Sequence, residues 1–151
     1  MIKGQITKLA LRAAEFLDRS GRDDSKPQEP AHLQTGRQGE DAAYFYLREH
    51  GYVMVARNFR SPRHRGEIDL IGWDADVLCF IEVKTRGRRG IVPAQVAVDG
   101  PKRSLLRATA YDYLRRLKSR PPVRFDVISI YFHRENRPPD INLFKNAFPM
   151  S

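Results

Sequence analysis

Asp69, Glu82 and Lys84 stand in two stretches that otherwise read as buried β-strand. These are Gly66-Glu67-Ile68-Asp69-Leu70-Ile71 and, a short turn later, Phe80-Ile81-Glu82-Val83-Lys84-Thr85-Arg86. A charge inside such a run is costly unless it is paired, so each needs an ion pair, a metal ion or a substrate. Two carboxylates on adjacent strands suit a hard divalent cation such as Mg²⁺, which typically takes one or two carboxylates plus substrate phosphate. Such an ion stabilises charge on a phosphoryl oxygen and activates water. Lys84, two residues beyond Glu82 and on the same face, is placed to position that water or to neutralise charge developing on phosphorus. The competing reading is a salt-bridged patch of the same three residues on a solvated sheet face. Against it stands the repulsion of two acids set directly opposite each other without a cation.

The elements that must position these groups follow from pattern. Residues 66–73 and 77–85 are rich in Ile, Val, Leu and Phe, and Asp74-Ala75-Asp76 supplies turn residues between them. A tight hairpin pairing Trp73 with Leu78 places Asp69 opposite Glu82 and Glu67 opposite Lys84. Alternation then puts Ile68, Leu70, Cys79, Ile81 and Val83 on one face. The other face carries Trp73, Ile71 and Phe80 near the turn, and Asp69, Glu82, Lys84 and Glu67 at the far end. A one-residue change in turn length would undo this register. Upstream, Thr35-Gly36-Arg37-Gln38 matches a capping box, Ala43, Tyr46, Leu47 and His50 follow at helical spacing, and Gly51 is a C-terminal stop. Glu40 shares the face of Ala43, Tyr44 and Leu47. Tyr52–Ala56 reads as a first strand, Lys102–Leu117 as an amphipathic helix ended by Pro121-Pro122, and Val123–Phe132 as a last strand. The order suggests an α/β protein with a mixed sheet and helices on its faces. Asp126 in the last strand reads as a structural partner for Arg124 or a neighbouring Arg.

Charge points to a phosphate partner. Against 18 Asp+Glu stand 27 Lys+Arg, a formal net charge of +9. Such an excess attracts nucleic-acid backbones with salt-dependent affinity. Its distribution is more telling: Arg57, Arg60, Arg63 and Arg65 precede the first acidic strand, and Arg86, Arg88 and Arg89 follow Lys84 in a basic, Gly-containing loop. These seven, with Lys102, are the candidate nucleic-acid-binding residues. No zinc-ligand spacing, RNA-recognition aromatic motif or phosphate loop is present, so backbone and shape recognition is expected. Tyr44, Tyr46 and Phe59 are of a type that stacks on unpaired bases, but each reads better as a core or core-edge residue. His64 reads as a solvent-facing loop residue.

An acid on one strand followed by Glu-x-Lys on the next resembles the PD-(D/E)xK nuclease core. Asp69 matches the first acid and Glu82-Val83-Lys84 the second half, although Ile68 stands where the motif's Pro would be. More narrowly, the chain resembles the bacterial YraN-like family of endonucleases, whose fold is related to archaeal Holliday-junction resolvases. The matching segments are Gly36-Arg37-Gln38-Gly39-Glu40, Gly51-Tyr52 with Ala56–Arg60, Gly66–Ile71, Phe80–Arg86, Lys102 and Arg124–Ile128, covering most of residues 36–130 in order. The resemblance implies a restriction-endonuclease-like fold, a mixed central β-sheet flanked by α-helices. It also implies a Mg²⁺- or Mn²⁺-dependent site with Asp69 and Glu82 as metal ligands and Lys84 as the water-positioning lysine. A helical Glu completes the metal site in such nucleases, a role the resemblance carries to Glu40. The alternative for Glu40 is stabilisation of the positive end of its helix.

At 151 residues one compact domain is expected. Its parts read as an amphipathic helical extension (1–19), a polar linker (20–34), the nuclease-like domain (35–133) and a loosely ordered tail (134–151). The amino-terminal helix is expected to make a protein contact. Single Cys79 cannot form an intramolecular disulfide and suits packing in a reducing, cytoplasmic compartment. No apolar run approaches a membrane span. Two functions of different class remain open: an endonuclease acting on DNA, branched or single-stranded, and a nuclease-fold protein that only binds nucleic acid. A basic RNA-associated structural protein is a third, which leaves the acid cluster unexplained. A homodimer is expected only by analogy with resolvases of similar fold.

Overall fold

The structure, a computed structural model, describes residues 31–86, 98–133 and 136–151, with side chains from residue 35 onward. Helix α1 (Ala31–Glu49) leads into β1 (Val53–Arg60), β2 (Glu67–Asp74) and β3 (Val77–Arg86). Helix α2 (Gly100–Leu114), β4 (Val123–Tyr131) and β5 (Asp140–Phe148) follow. The strands form one mixed sheet in the order β1-β2-β3-β4-β5. Only β3 and β4 run parallel. A parallel pair needs a crossover, and α2 lies in it.

Strand β3 is central, and its Leu78-Cys79-Phe80-Ile81 run is buried on both sides, as a covered strand requires. Alternation sorts these side chains between two cores. Leu78 and Phe80 join Ile71, Phe125 and Val127 beneath Leu106, Ala110 and Leu114 of α2. Cys79 and Ile81 join Leu70, Ile128 and Ile130 beneath Ala43 and Leu47 of α1. The two helices therefore cover opposite faces of the sheet. Burial also pushes the Cys79 thiol up to about 12, with the Asp126 carboxylate adding to it, which makes this an inert packing residue.

The hairpin register is the expected one: Trp73 pairs with Leu78, and the ladder runs from Asp74↔Val77 to Leu70↔Ile81. One face assignment needs correction. Ile68 packs with Ile71 and Phe80 under α2, not with Leu70 under α1. The cause lies opposite Asp69, where Asn58 of β1 takes a φ of +49°. Asn tolerates this left-handed conformation, and it breaks the two-residue alternation, so Phe59 and its partner Ile68 both turn to the α2 side.

Two boundaries also move. Helix α1 begins at least at Ala31, so Thr35 lies within it and is no N-cap; Ala31-His32-Leu33-Gln34 contains no breaker to stop the helix there. Gly51 does end the helix, with φ +87° and its N–H donated to Arg48 O at 3.2 Å. Residues 140–148, expected in a loose tail, form β5, because Ile141, Leu143 and Phe148 find apolar partners on the two cores. The reading of the amino-terminal helix falls outside the described residues.

Under the α1 side lies a buried ionic network. Arg124 donates to Asp126 at 2.7 and 3.0 Å and to Asp74 at 2.8 Å. Tyr52 Oη and the Asn146 backbone N–H also donate to Asp126, at 3.3 and 2.9 Å. Asp126 is thus the structural partner of Arg124 that its strand position suggested. Its side chain is fully buried, so removing it leaves a largely buried guanidinium with Asp74 as its one remaining carboxylate. Asp126→Ala is expected to lose about 3–5 kcal/mol of unfolding free energy in urea titration. A loss below about 1 kcal/mol would show that the network does not hold the sheet.

Candidate active site

At the end of the β2–β3 ladder the strands part and side chains take over. Asp69 Oδ2 accepts the backbone N–H of Val83 at 2.7 Å, which fixes its carboxylate across the gap. Glu82 faces the α2 side and is 7% exposed. Lys84 Nζ lies 3.3 Å from Glu82 Oε1, and Lys102 Nζ lies 3.5 Å from the same oxygen. The other oxygen, Oε2, is buried and has no hydrogen-bond partner. Lys102 arrives from the first turn of α2, where Asp99 caps the helix by accepting the Lys102 N–H at 2.9 Å.

The two carboxylates crowd each other. Burial raises the Asp69 pKa to about 7, and the charge of Glu82 adds to that rise; the Val83 N–H and Lys102 oppose it. Glu40 also raises it, so α1 brings this third acid within electrostatic reach of the pair from the other side of the sheet. Glu40 itself is half-buried; desolvation raises its pKa, while a hydrogen bond from Asn58 and the charge of Arg57 lower it. Asn58 thus serves twice: its positive φ turns the strand, and its amide holds Glu40. The preceding Gly39 makes the approach of α1 feasible, because a Cβ there would stand 1.8 Å from Thr85 Oγ1 of β3.

The structure therefore gathers Asp69, Glu82 and Lys84, with Glu40 alongside. All the acids offer oxygen, the donor type of a hard cation, and the orphaned Glu82 Oε2 is a free donor of that kind. Among the described residues no group of three or more His, Cys, Asp or Glu converges tightly enough to hold a metal. A cation here would rest on Asp69 and Glu82, with water completing its shell.

The basic residues divide. Arg57 pairs with Asp41 and lies over the Tyr44 ring, 5.0 Å from its centroid. Arg60 pairs with Glu67 at 2.9 Å. Arg63 leans on Asp112 of α2 at 3.7 Å, and Arg65 is exposed with no ion pair among the described residues. Arg86 ends β3 half-buried, while Arg88 and Arg89 lie outside the described residues. Lys102, read as part of a nucleic-acid rim, points instead at Glu82. His64 is tied into the loop rather than free in solvent: its Nδ1 accepts the Gly66 N–H at 3.0 Å. Sequence reasoning missed Asn58 and the inward role of Lys102. An Asn inside a strand was a signal for the first; nothing in the sequence fixed which face α2 covers, which decides the second.

Fold and site together define a mixed α/β protein with a paired-carboxylate, paired-lysine pocket at the carboxyl end of its central strand. The chain belongs to the uncharacterised protein family UPF0102, whose model matches residues 39–130, a span holding every residue of that pocket. It is 52% identical over 126 residues to a UPF0102 protein of Koribacter versatilis, covering 83% of this chain and 87% of that one. A UPF0102 protein of Solibacter usitatus is 45% identical over 114 residues, covering 75% and 84%. One from Porphyromonas gingivalis is 38% identical over 119 residues, covering 79% and 87%.

The crowding of Asp69 has a pH signature. Its folded pKa lies above the unfolded value of roughly 3.9, so the folded protein binds the extra proton. Stability is then lost as pH rises from about 4 through about 7. Asp69→Asn keeps an oxygen for the Val83 N–H and lacks the charge. In metal-free buffer its melting temperature is expected to exceed that of the wild type by about 5–10 °C more at pH 8 than at pH 5. A difference that does not change with pH would sink the crowding argument.

Proposed function

We propose that this protein is a metal-dependent endonuclease of the PD-(D/E)xK type that hydrolyses phosphodiester bonds in DNA, on a restriction-endonuclease-like fold. The observation that carries the reading is the buried Glu82, one oxygen shared by two lysines and the other without a partner, beside an Asp69 whose ionisation it opposes. A purely structural ion pair would not keep a second carboxylate against it. The resemblance of Asp69 and Glu82-Val83-Lys84 to the nuclease motif supports the same reading.

Asp69 and Glu82 would hold Mg²⁺ or Mn²⁺. When bound, such an ion withdraws charge from the phosphoryl oxygens and makes water a better nucleophile. Lys84, beside Glu82, would orient the attacking water and offset the charge that develops on phosphorus. Glu40, held by Asn58, supports the site from α1. Basic residues around the pocket draw the DNA backbone in, and a hydrolysed strand leaves as two charged ends.

The test is a panel of linear, single-stranded, flapped and four-way DNA with Mg²⁺ or Mn²⁺. The wild type is expected to cut at least one member, and Glu82→Ala and Lys84→Ala to lower the rate at least about 100-fold. Cleavage retained by both variants would place the activity elsewhere. Metal-independent binding by all three proteins, with no cutting, would establish the alternative, a nuclease-fold protein that only binds nucleic acid.

A further inference from the structure

Strand β1 and the loop after it carry four arginines, but their charges are not equivalent. Arg57 and Arg60 each have a carboxylate of their own, Asp41 and Glu67. In the loop 61–66 the balance differs. Asp112, buried to 8% exposure on α2, alone faces Arg63 at 3.7 Å, Arg115 at 3.1 Å and His64 at 3.2 Å. Arg65 on the same loop has no ion pair among the described residues. Arg116 lies over the Phe59 ring, 4.7 Å from its centroid. Two arginines and a histidine thus share a single carboxylate, and Arg65 and Arg116 add positive charge beside them without an ion pair to it.

This surface is also built rather than loose. Ser61 Oγ donates to Asp112 at 2.6 Å, the Arg63 N–H donates to Ser61 Oγ at 3.0 Å, and the Ser61 N–H donates to Gly66 O at 2.9 Å. Gly66 packs so closely on α2 that a Cβ would stand 1.9 Å from Thr109 Oγ1. The Arg63 and Arg115 side chains nevertheless remain 63% and 52% exposed, so their outer N–H groups are open to a ligand. Rigid, exposed cations bind phosphate without first losing loop entropy.

Position completes the argument. Gly66 precedes Asp69 by three strand residues, about 10 Å at 3.3 Å each. Asp112 follows Lys102 by ten helical residues, about 15 Å at 1.5 Å each. The shelf therefore flanks the acid pocket, with the first half of β2 and the length of α2 joining the two. Ten to 15 Å spans about three to four base steps of 3.4 Å.

We propose that Arg63 and Arg115, organised by Asp112, together with the neighbouring Arg65 and Arg116, form a second phosphate-binding surface that grips a DNA duplex three to four steps from the pocket. The proposal rests on a nucleic-acid partner but not on cleavage, and its test is run without metal. A labelled 20-base-pair duplex is titrated in EDTA at several salt concentrations, using wild type, the double variant Arg63→Gln/Arg115→Gln, and Arg48→Gln on α1 over the opposite sheet face. The double variant should bind at least about fivefold more weakly, and its slope of log affinity against log salt should be less negative by about 2. Arg48→Gln should match the wild type, and unchanged melting temperatures would confirm that all three proteins fold. A slope unaltered in the double variant, an equal loss in Arg48→Gln, or no salt-dependent binding by the wild type would each overturn the proposal. Failure of DNA cleavage in Mg²⁺ would leave this result standing, so the two readings fail separately.

Discussion

Two carboxylates held close inside a sheet set the terms for everything around them. Asp69 and Glu82 face each other just past the last paired residues of β2 and β3, where desolvation and the charge of Glu82 both oppose the ionisation of Asp69. The protein offsets this from three directions: a backbone N–H from Val83, Lys84 from the same strand, and Lys102 from the helix across the core. Each of these depends on a different long-range element. The pocket cannot form until hairpin, crossover and helix cap are all in place.

Much of this was legible in the sequence. Hydrophobic alternation and a turn of fixed length gave the register, and with it the opposition of Asp69 and Glu82. Arg124 and Asp126 were readable as a pair because two charges two residues apart share a face of a buried strand. Asn58 was not readable in the same way, since one left-handed residue in β1 moved Ile68 to the other core. Lys102 shows a second limit. Its place in the first helical turn follows from the Asp99 cap, but its target depends on which face of the sheet the crossover lands on. The strand at 140–148 was hidden because its burial pattern follows no clean alternation, being half-covered at a sheet edge.

Two glycines show how close packing, rather than flexibility, positions function. Gly39 and Gly66 each sit where a single added methyl would collide with a threonine hydroxyl, on Thr85 and Thr109 respectively. One sets α1, and so Glu40, against the carboxyl end of β3. The other sets the basic loop against α2. Both contacts lie within two or three residues of a charged group whose place matters.

The acid at the heart of β4 is satisfied by a backbone N–H twenty residues downstream, from Asn146 in the left-handed conformation, while Phe148 stacks on Phe125. On a ribosome this imposes an order. Arg124 and Asp126 leave the exit tunnel ahead of the strand that completes their bonding, so the nascent sheet carries an incompletely satisfied ionic centre until β5 emerges. A chain interrupted before residue 140 would hold every acid of the pocket and lack the strand that locks the sheet behind them.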